Sequence, residues 1–390
     1  MKICAVVAEY NPFHLGHLKQ IDYIKNELGA ENIVVLMSGN FTQRGEPAVL
    51  NKFTRAKHAI IAGADAVIEL PTVFATANAE TFATGAINLL DDLGAIDAIC
   101  FGVESGDKES FFSLASAMLD ESKEFKKRLK SHLESGVSLA KAKFLTVKEL
   151  NDENFNEELI SLPNNILGLE YCKAVLKRNS GIQVFPMLRE GDHNSPILKK
   201  GITSATSIRQ KIRELKLKKL KKNMPAYVYG DLKPFPVAFD KITTAALITA
   251  TKEDLSKIAD CTEGLENRIK ALVKDNKNID SLVDKISTKR YTAARIRRIL
   301  IANLLGITKD FTDECLSSRL YAKVLAVNKD NKDIMSLLTA NSRIPVITRK
   351  SDIAELKKTA LLSYELDVKA GDLYNLATDE STNENQMILV

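Results

Sequence analysis

The segment Glu9-Tyr10-Asn11-Pro12-Phe13-His14-Leu15-Gly16-His17 carries the strongest chemical signal in the chain. Two imidazoles three positions apart can project toward one side of a turn. Gly16 between them has no side chain, so a phosphate or a base can approach the backbone closely. Where such a turn opens a helix, free N–H groups and the positive end of the dipole face the ligand as well. Donors arranged this way stabilise the charge that builds when an α-phosphorus is attacked. In isolation the pattern is equally a pair of polar residues in a turn. Its place between a strand and a helix decides for a nucleotide site, with His14 and His17 as the catalytic pair. A metal centre is the weaker reading, because no third ligand lies nearby in sequence.

Two further segments carry groups of the same kind. Residues 37–48 (MSGNFTQRGEPA) form a polar loop in which Arg44 can grip a phosphate or carboxylate bidentately, or simply face solvent. Lys52 and Arg55 follow at a helix start, where cations oppose the dipole, which mildly favours a functional role. Farther on, Thr203-Ser204-Ala205-Thr206-Ser207-Ile208-Arg209 reads as a hydroxyl-rich helix cap. The same geometry makes an anion site. Paired with the histidines, Ser204, Thr206, Ser207 and Arg209 then clamp phosphate from the far side.

The elements that position these groups alternate through the first part of the chain. Strands are expected at Ile3–Ala8, Asn32–Met37, Ala66–Leu70, Ala98–Phe101 and Gln183–Leu188. Helices are expected near 17–28, 51–62, 79–93, through much of 107–178, and from Ser204 onward. Near-continuous apolar strands separated by amphipathic helices predict an α/β fold with a Rossmann-like parallel sheet covered on both faces. Beyond about residue 223 the alternation stops, and Pro225, Pro234 and Pro236 mark a linker. The division is therefore a nucleotide-binding catalytic domain at 1–222 and a mainly helical domain at 223–390, with short strands at Leu325–Val327 and Pro345–Thr348. The last ten or so residues, rich in Asn, Glu, Ser and Thr, are expected to fray.

Composition is that of a soluble globular protein: 390 residues, 45% apolar and 27% charged. No stretch approaches the roughly 20 apolar residues of a membrane span. The apolar N-terminus is too short for a signal peptide. The five cysteines are scattered without a CxxC pair, which predicts buried free thiols in a reducing cytoplasm. Net charge is a modest +5, but 209–222 holds eight basic residues against Glu214, and 285–298 six basic residues and no acid. Such blocks hold a polyanion or are solvated helix faces. In the second block Arg290 and Arg297, like Tyr291 and Arg298, are seven apart, as on one basic helical face suited to RNA phosphates.

The HxGH signature with a late Ser/Thr-rich stretch and arginine resembles the nucleotidylyltransferase superfamily. The resemblance narrows with EYNPFHLGH, MSGNFTQRGEPAVLNKFTRAKHA, GADAVIELP, FGVESGD, LPNNILGLEY, ITSATSIR, TKRYTAARIRR and LDVKAGDLY, which run in order from residue 9 to residue 374. Together they are similar to the tRNA(Met) cytidine acetate ligase family. The resemblance implies an ATP-dependent ligase. It would make acetyl-adenylate from acetate and transfer the acetyl group to N4 of the wobble cytidine of elongator tRNA(Met). It implies Mg²⁺ with the ATP, and neither membrane nor obligate protein partner. Its ATP site falls on Val7, Ala8, Glu9, Tyr10, Asn11, Pro12, Phe13, His14, Leu15, Gly16, His17, Leu18, Lys19 and Gln20, and on Gly102, Asn164 and Arg189. By themselves, Gly102 reads as a bare strand end or a plain turn, and Asn164 as a base-binding amide or a helix cap. Arg189, followed by Glu190-Gly191-Asp192-His193, reads otherwise as a surface ion pair. A small-molecule adenylyltransferase of the same fold is the alternative, which the long basic helical C-terminus disfavours.

Overall fold

The computed structural model describes residues 1–390 apart from 121, 138, 151–154, 190–197, 199–200, 236–237, 277 and 289–290. Five strands of the first part lie parallel: β1 (Ile3–Ala8), β2 (Asn32–Ser38), β3 (Ala66–Leu70), β4 (Ala98–Val103) and β5 (Gln183–Leu188). Their order in the sheet is β5-β4-β1-β2-β3. Every residue of β2 and β3 is buried, because helices cover both faces. Alternate side chains feed two cores. Ile3, Ala5, Val34, Leu36 and Ile68 face one side, and Cys4, Val6, Ile33, Val35 and Val67 the other. The chain leaves β1 toward β2 on one side and returns to β4 on the other. A crevice therefore opens at the carboxyl ends of β1 and β4, where open α/β sheets take their ligands.

The second part of the chain is mainly helical, but it also completes this sheet. Strand β6 (Ala322–Val327) runs antiparallel beside β3. Strands β7 (Val346–Ile347) and β8 (Ile388–Leu389) share the outer edge of β6, pairing with its first and last residues. The expected strands near 325 and 345 are present, and the first begins three residues earlier than expected. Two expectations fail here. The tail does not fray: Val390 donates its N–H to Val327, and Glu384 is buried. Around Pro225 there is no free linker either. Pro225 precedes a short helix (Ala226–Gly230) whose Val228 is buried in the same core as β1 and β2. Pro236 lies outside the described residues.

All five cysteines are buried and unbridged. Burial pushes the thiols of Cys100, Cys172, Cys261 and Cys315 up to about 12, so they are inert. Among the described residues no helix is long and apolar enough to cross a membrane.

Candidate nucleotide site

At the end of β1 the chain turns sharply. Tyr10 takes a left-handed φ of 45°, the Asn11–Pro12 bond is cis, and His14 caps the helix Leu15–Asn26. The cap is built from the two histidines. His14 Nδ1 accepts from the Gly16 N–H at 3.1 Å, and His17 Nδ1 accepts from the His14 N–H at 3.2 Å. The rings stack with centroids 3.7 Å apart, and Tyr10 and Phe13 pack on His17 at 4.8 and 5.5 Å. With each Nδ1 lone pair engaged by a backbone N–H, the neutral tautomer of each ring carries its proton on Nε2. Burial first, then electrostatic interaction with His14, Arg189 and Arg209, holds the His17 pKa well below its usual value. Gly16 also serves this cap. A Cβ there would lie 3.0 Å from His14 Cε1 and 3.1 Å from its Nδ1, so a side chain would push the ring out of place.

The opposite wall is set by Gly102, Asn164 and Arg189. Gly102 lies in β4, and a Cβ on it would come within 2.8 Å of Arg189 Cδ. The glycine is therefore the seat of the Arg189 side chain, beyond being a strand end. Asn164 does not cap its helix (Pro163–Arg178), whose N-cap is Leu162. Its amide is held by Glu104 at 2.6 Å, and its Oδ1 accepts from Arg189 Nη1 at 2.9 Å. Glu104 also takes the Asn165 N–H, while Asn165 Oδ1 takes the Glu104 N–H. This staple between FGVESGD and LPNN went unread in the sequence, where Glu104 is one polar loop residue among several. Arg189 is thus tied inward, rather than paired at the surface. Residues 190–193 lie outside the described residues.

On the third side, Ser204 accepts from the Ser207 N–H at 3.0 Å and caps the helix Ala205–Arg213. Ser207 donates back to the Ser204 carbonyl and pairs with Thr203. These hydroxyls are spent on the cap. Ser204, Thr206 and Ser207 do not line the cleft, whereas Ala205 and Arg209 do. Arg209 is buried, donates to the Asn11 carbonyl at 3.0 Å, and is depressed to about 10, chiefly by burial and then by Arg44. Arg44 is exposed at the mouth, and Gln43 beside it donates its N–H to Glu9. Lys52 and Arg55 do not reach the cleft. Both are buried, and Arg55 donates to the carbonyls of Leu50, Glu9, Ser38 and Gly39, so it braces the two loops from beneath.

Together these walls enclose a cleft of about 210 Å³. Of the expected residues, Val7, Ala8, Glu9, Tyr10, Asn11, His14, Gly16, His17, Lys19, Gln20, Gly102, Asn164, Arg189 and Arg209 line it. Pro12, Phe13, Leu15 and Leu18 do not. The apolar floor of Phe82, Phe101, Leu167, Gly168, Tyr171 and Met187 was missed, since its spacing is that of ordinary core. Among the described residues no group of three or more His, Cys, Asp or Glu side chains is placed to hold a metal. The arginines of the C-terminal block are engaged internally. Arg295 bonds Asp260 O and Thr262, Arg297 bonds Asp280, and Arg298 bonds Asp260. Lys289 and Arg290 lie outside the described residues.

The seat of Arg189 yields a direct test. Gly102→Ala is expected to displace that side chain and raise the KM for ATP by roughly tenfold or more, the scale of one charged hydrogen bond. Steady-state kinetics with ATP varied will show it, and an unchanged KM would separate Arg189 from nucleotide binding.

A doubly wound sheet with a capping pair of histidines over its switch point defines an HxGH nucleotidyltransferase. The HIGH Nucleotidyl Transferase family matches residues 1–387. The chain belongs, within that class, to the tRNA(Met) cytidine acetate ligase family. It is 38% identical over 391 residues to the tRNA(Met) cytidine acetate ligase of Thermoanaerobacter sp. (strain X514), covering 98% of this chain and 97% of that one. To the Acetivibrio thermocellus protein of the same name it is 37% identical, with 96% and 94% covered. Crystal structures of Thermotoga maritima TmcAL superpose closely. The apo form gives a TM-score of 0.93 at 29% identity over the whole of both chains. The form bound with alpha-thio ATP gives 0.90 at 30%, covering 98% and 97%.

Proposed function

We propose that this protein activates acetate with ATP and transfers the acetyl group to N4 of the wobble cytidine of elongator tRNA(Met). The observation that carries the reading is the stacked His14–His17 pair on the cleft wall at the sheet's switch point, each Nδ1 held by a backbone N–H, with Arg189 and Arg209 lining the same cleft. In the first step an acetate oxygen attacks the α-phosphorus, the bond to the β-bridging oxygen breaks, and pyrophosphate leaves. The histidines stabilise the charge on the reacting phosphate. They do not act as bases, because neither ring keeps a free lone pair. In the second step the cytidine N4 attacks the acetyl carbonyl, loses a proton, and AMP departs. That amine is a weak nucleophile, its lone pair delocalised into the ring, which is why the acid must first be activated. A wobble base in a single-stranded loop can leave its stack to reach the cleft.

Among the described residues no group of three or more His, Cys, Asp or Glu side chains forms a Mg²⁺ cage, and Mg²⁺ expected with the ATP belongs to this proposal. ATP-site roles for the lining residues, and tRNA binding by the mainly helical segment 223–390, belong to the same proposal. The expected result is label from acetate in N4-acetylcytidine after incubation with ATP and tRNA(Met) transcript. ATP consumed by another acceptor without labelled RNA would instead mark a small-molecule adenylyltransferase.

A further inference from the structure

The cations that the sequence set aside for RNA are not equally available. In the helix Ala293–Leu305, Arg297 and Arg298 are ion-paired with Asp280 and Asp260, at 2.6 and 2.9 Å. On the helix Lys123–Glu134 the basic residues are interleaved with acids: Arg128 pairs with Glu124 and Glu149, and Lys130 with Glu134. The block that follows Arg209 is denser in cations and poorer in acids. Its single acid, Glu214, is held by Lys211 and Lys216, which bring its carboxyl down to about 2. Downstream, Lys218, Lys219, Lys221 and Lys222 are all exposed. None of them has a hydrogen bond or ion pair with a described residue.

This strip is anchored at its centre and at its end. Leu220, at its centre, is fully buried, and Met224 just beyond it is buried too. Asn223 ends the strip: its carbonyl accepts the Leu15 N–H at 3.1 Å, next to His14, and its amide donates to Gly201 O at 2.7 Å. Lys221 and Lys222 are therefore no more than about 8 Å of chain from a residue that touches the start of the histidine helix. Upstream, the helix Ala205–Arg213 places Arg209 in the cleft and leads into the strip. A lysine row with no partners among the described residues, beside an anion cleft, costs self-repulsion when free and gains from a continuous row of phosphates.

We propose that Lys218, Lys219, Lys221 and Lys222 hold the phosphate backbone of the substrate RNA beside the cleft, so that the target base enters from this side. The assignment rests on the ligase reading for the RNA's identity, and on exposure, missing partners and position for the surface itself. Such contacts position the RNA without reading sequence.

The test compares wild type with K218A/K219A/K221A/K222A, using tRNA(Met) transcript and salt varied from about 50 to 200 mM. The tRNA Kd is expected to rise about tenfold or more, and the slope of log Kd against log salt to fall by roughly two to four. Acetate-dependent ATP–pyrophosphate exchange, measured without RNA, should not change. The fourfold arginine variant should bind as wild type does. An unchanged Kd and slope, or a parallel loss of exchange, overturns the proposal. Should wild type acetylate no tRNA, the ligase reading fails instead, and the salt slope still decides whether the strip holds RNA.

Discussion

His14→Ala and His17→Ala are each expected to slow acetate-dependent ATP–pyrophosphate exchange by about 10²–10³-fold, the scale of one lost oxyanion donor. The tRNA Kd should stay at the wild-type value, because both rings lie within the cleft wall and form no part of the lysine surface. The two losses should not multiply in the double variant. Each ring accepts a backbone N–H of the same cap and stacks on the other at 3.7 Å, so removing one already misplaces its partner. His17→Gln sharpens the test, since its amide retains a donor but not the ring stack. The pH profile carries the mechanistic sign. A depressed His17 pKa leaves the ring neutral through pH 6.5, so exchange should show no inflection there from this residue. An acid limb near pH 6.5 that vanishes in His17→Ala would make this ring a base and defeat the donor role. A tRNA Kd that rises with either substitution would equally defeat the separation of nucleotide and RNA surfaces.

Why the histidines were legible and their neighbours were not follows from how local each signal is. The cap lies within nine consecutive residues, and β1 before it is a run of apolar residues that parallel sheets bury whole. Gly102 and Asn164 could be singled out only by resemblance, because their work lies in holding Arg189, distant in sequence from both. The hydroxyls of Ser204 and Ser207 satisfied the plainer of their two readings, capping a helix, while Arg209 alone from that stretch reached the cleft. Lys52 and Arg55 misled for a general reason. Cations at a helix start are usually exposed, and nothing within ten residues of Lys52 announces the partners that bury it. The tail misled for the complementary reason. A polar composition describes most frayed ends, and the burial of Glu384 depends on β6 and on Lys52, far back in the chain.

That buried cluster links β3, β6 and the tail, and Glu69 is its centre. Glu69 lies in β3, surrounded by apolar residues, with Lys52 Nζ at 2.8 and 2.9 Å and Lys323 Nζ of β6 at 3.1 Å. Both lysines also meet Glu384, so two positive and two negative groups balance with side chains no more than 5% exposed. Gly39 and Gly371 have no side chain where a Cβ would strike the carboxylates of Glu69 and Glu384. The lysines, Lys323 first, hold Glu69 below the ordinary carboxylate range despite its burial. Glu69→Gln would leave one carboxylate for two buried ammonium groups, at an expected loss of about 3–5 kcal/mol in urea unfolding. Restoring balance should recover much of it: Glu69→Gln with Lys323→Met is expected to be more stable than Glu69→Gln alone. The pH sign follows from the lowered pKa. Glu69 contributes stability above the unfolded value near 4.5, and the contribution is lost as pH falls through the folded value. The acid limb of stability should therefore be shallower in Glu69→Gln than in wild type. Additive losses in the double variant would show that the four groups do not act as one unit. In that case the sheet would not owe its third and sixth strands' union to this cluster.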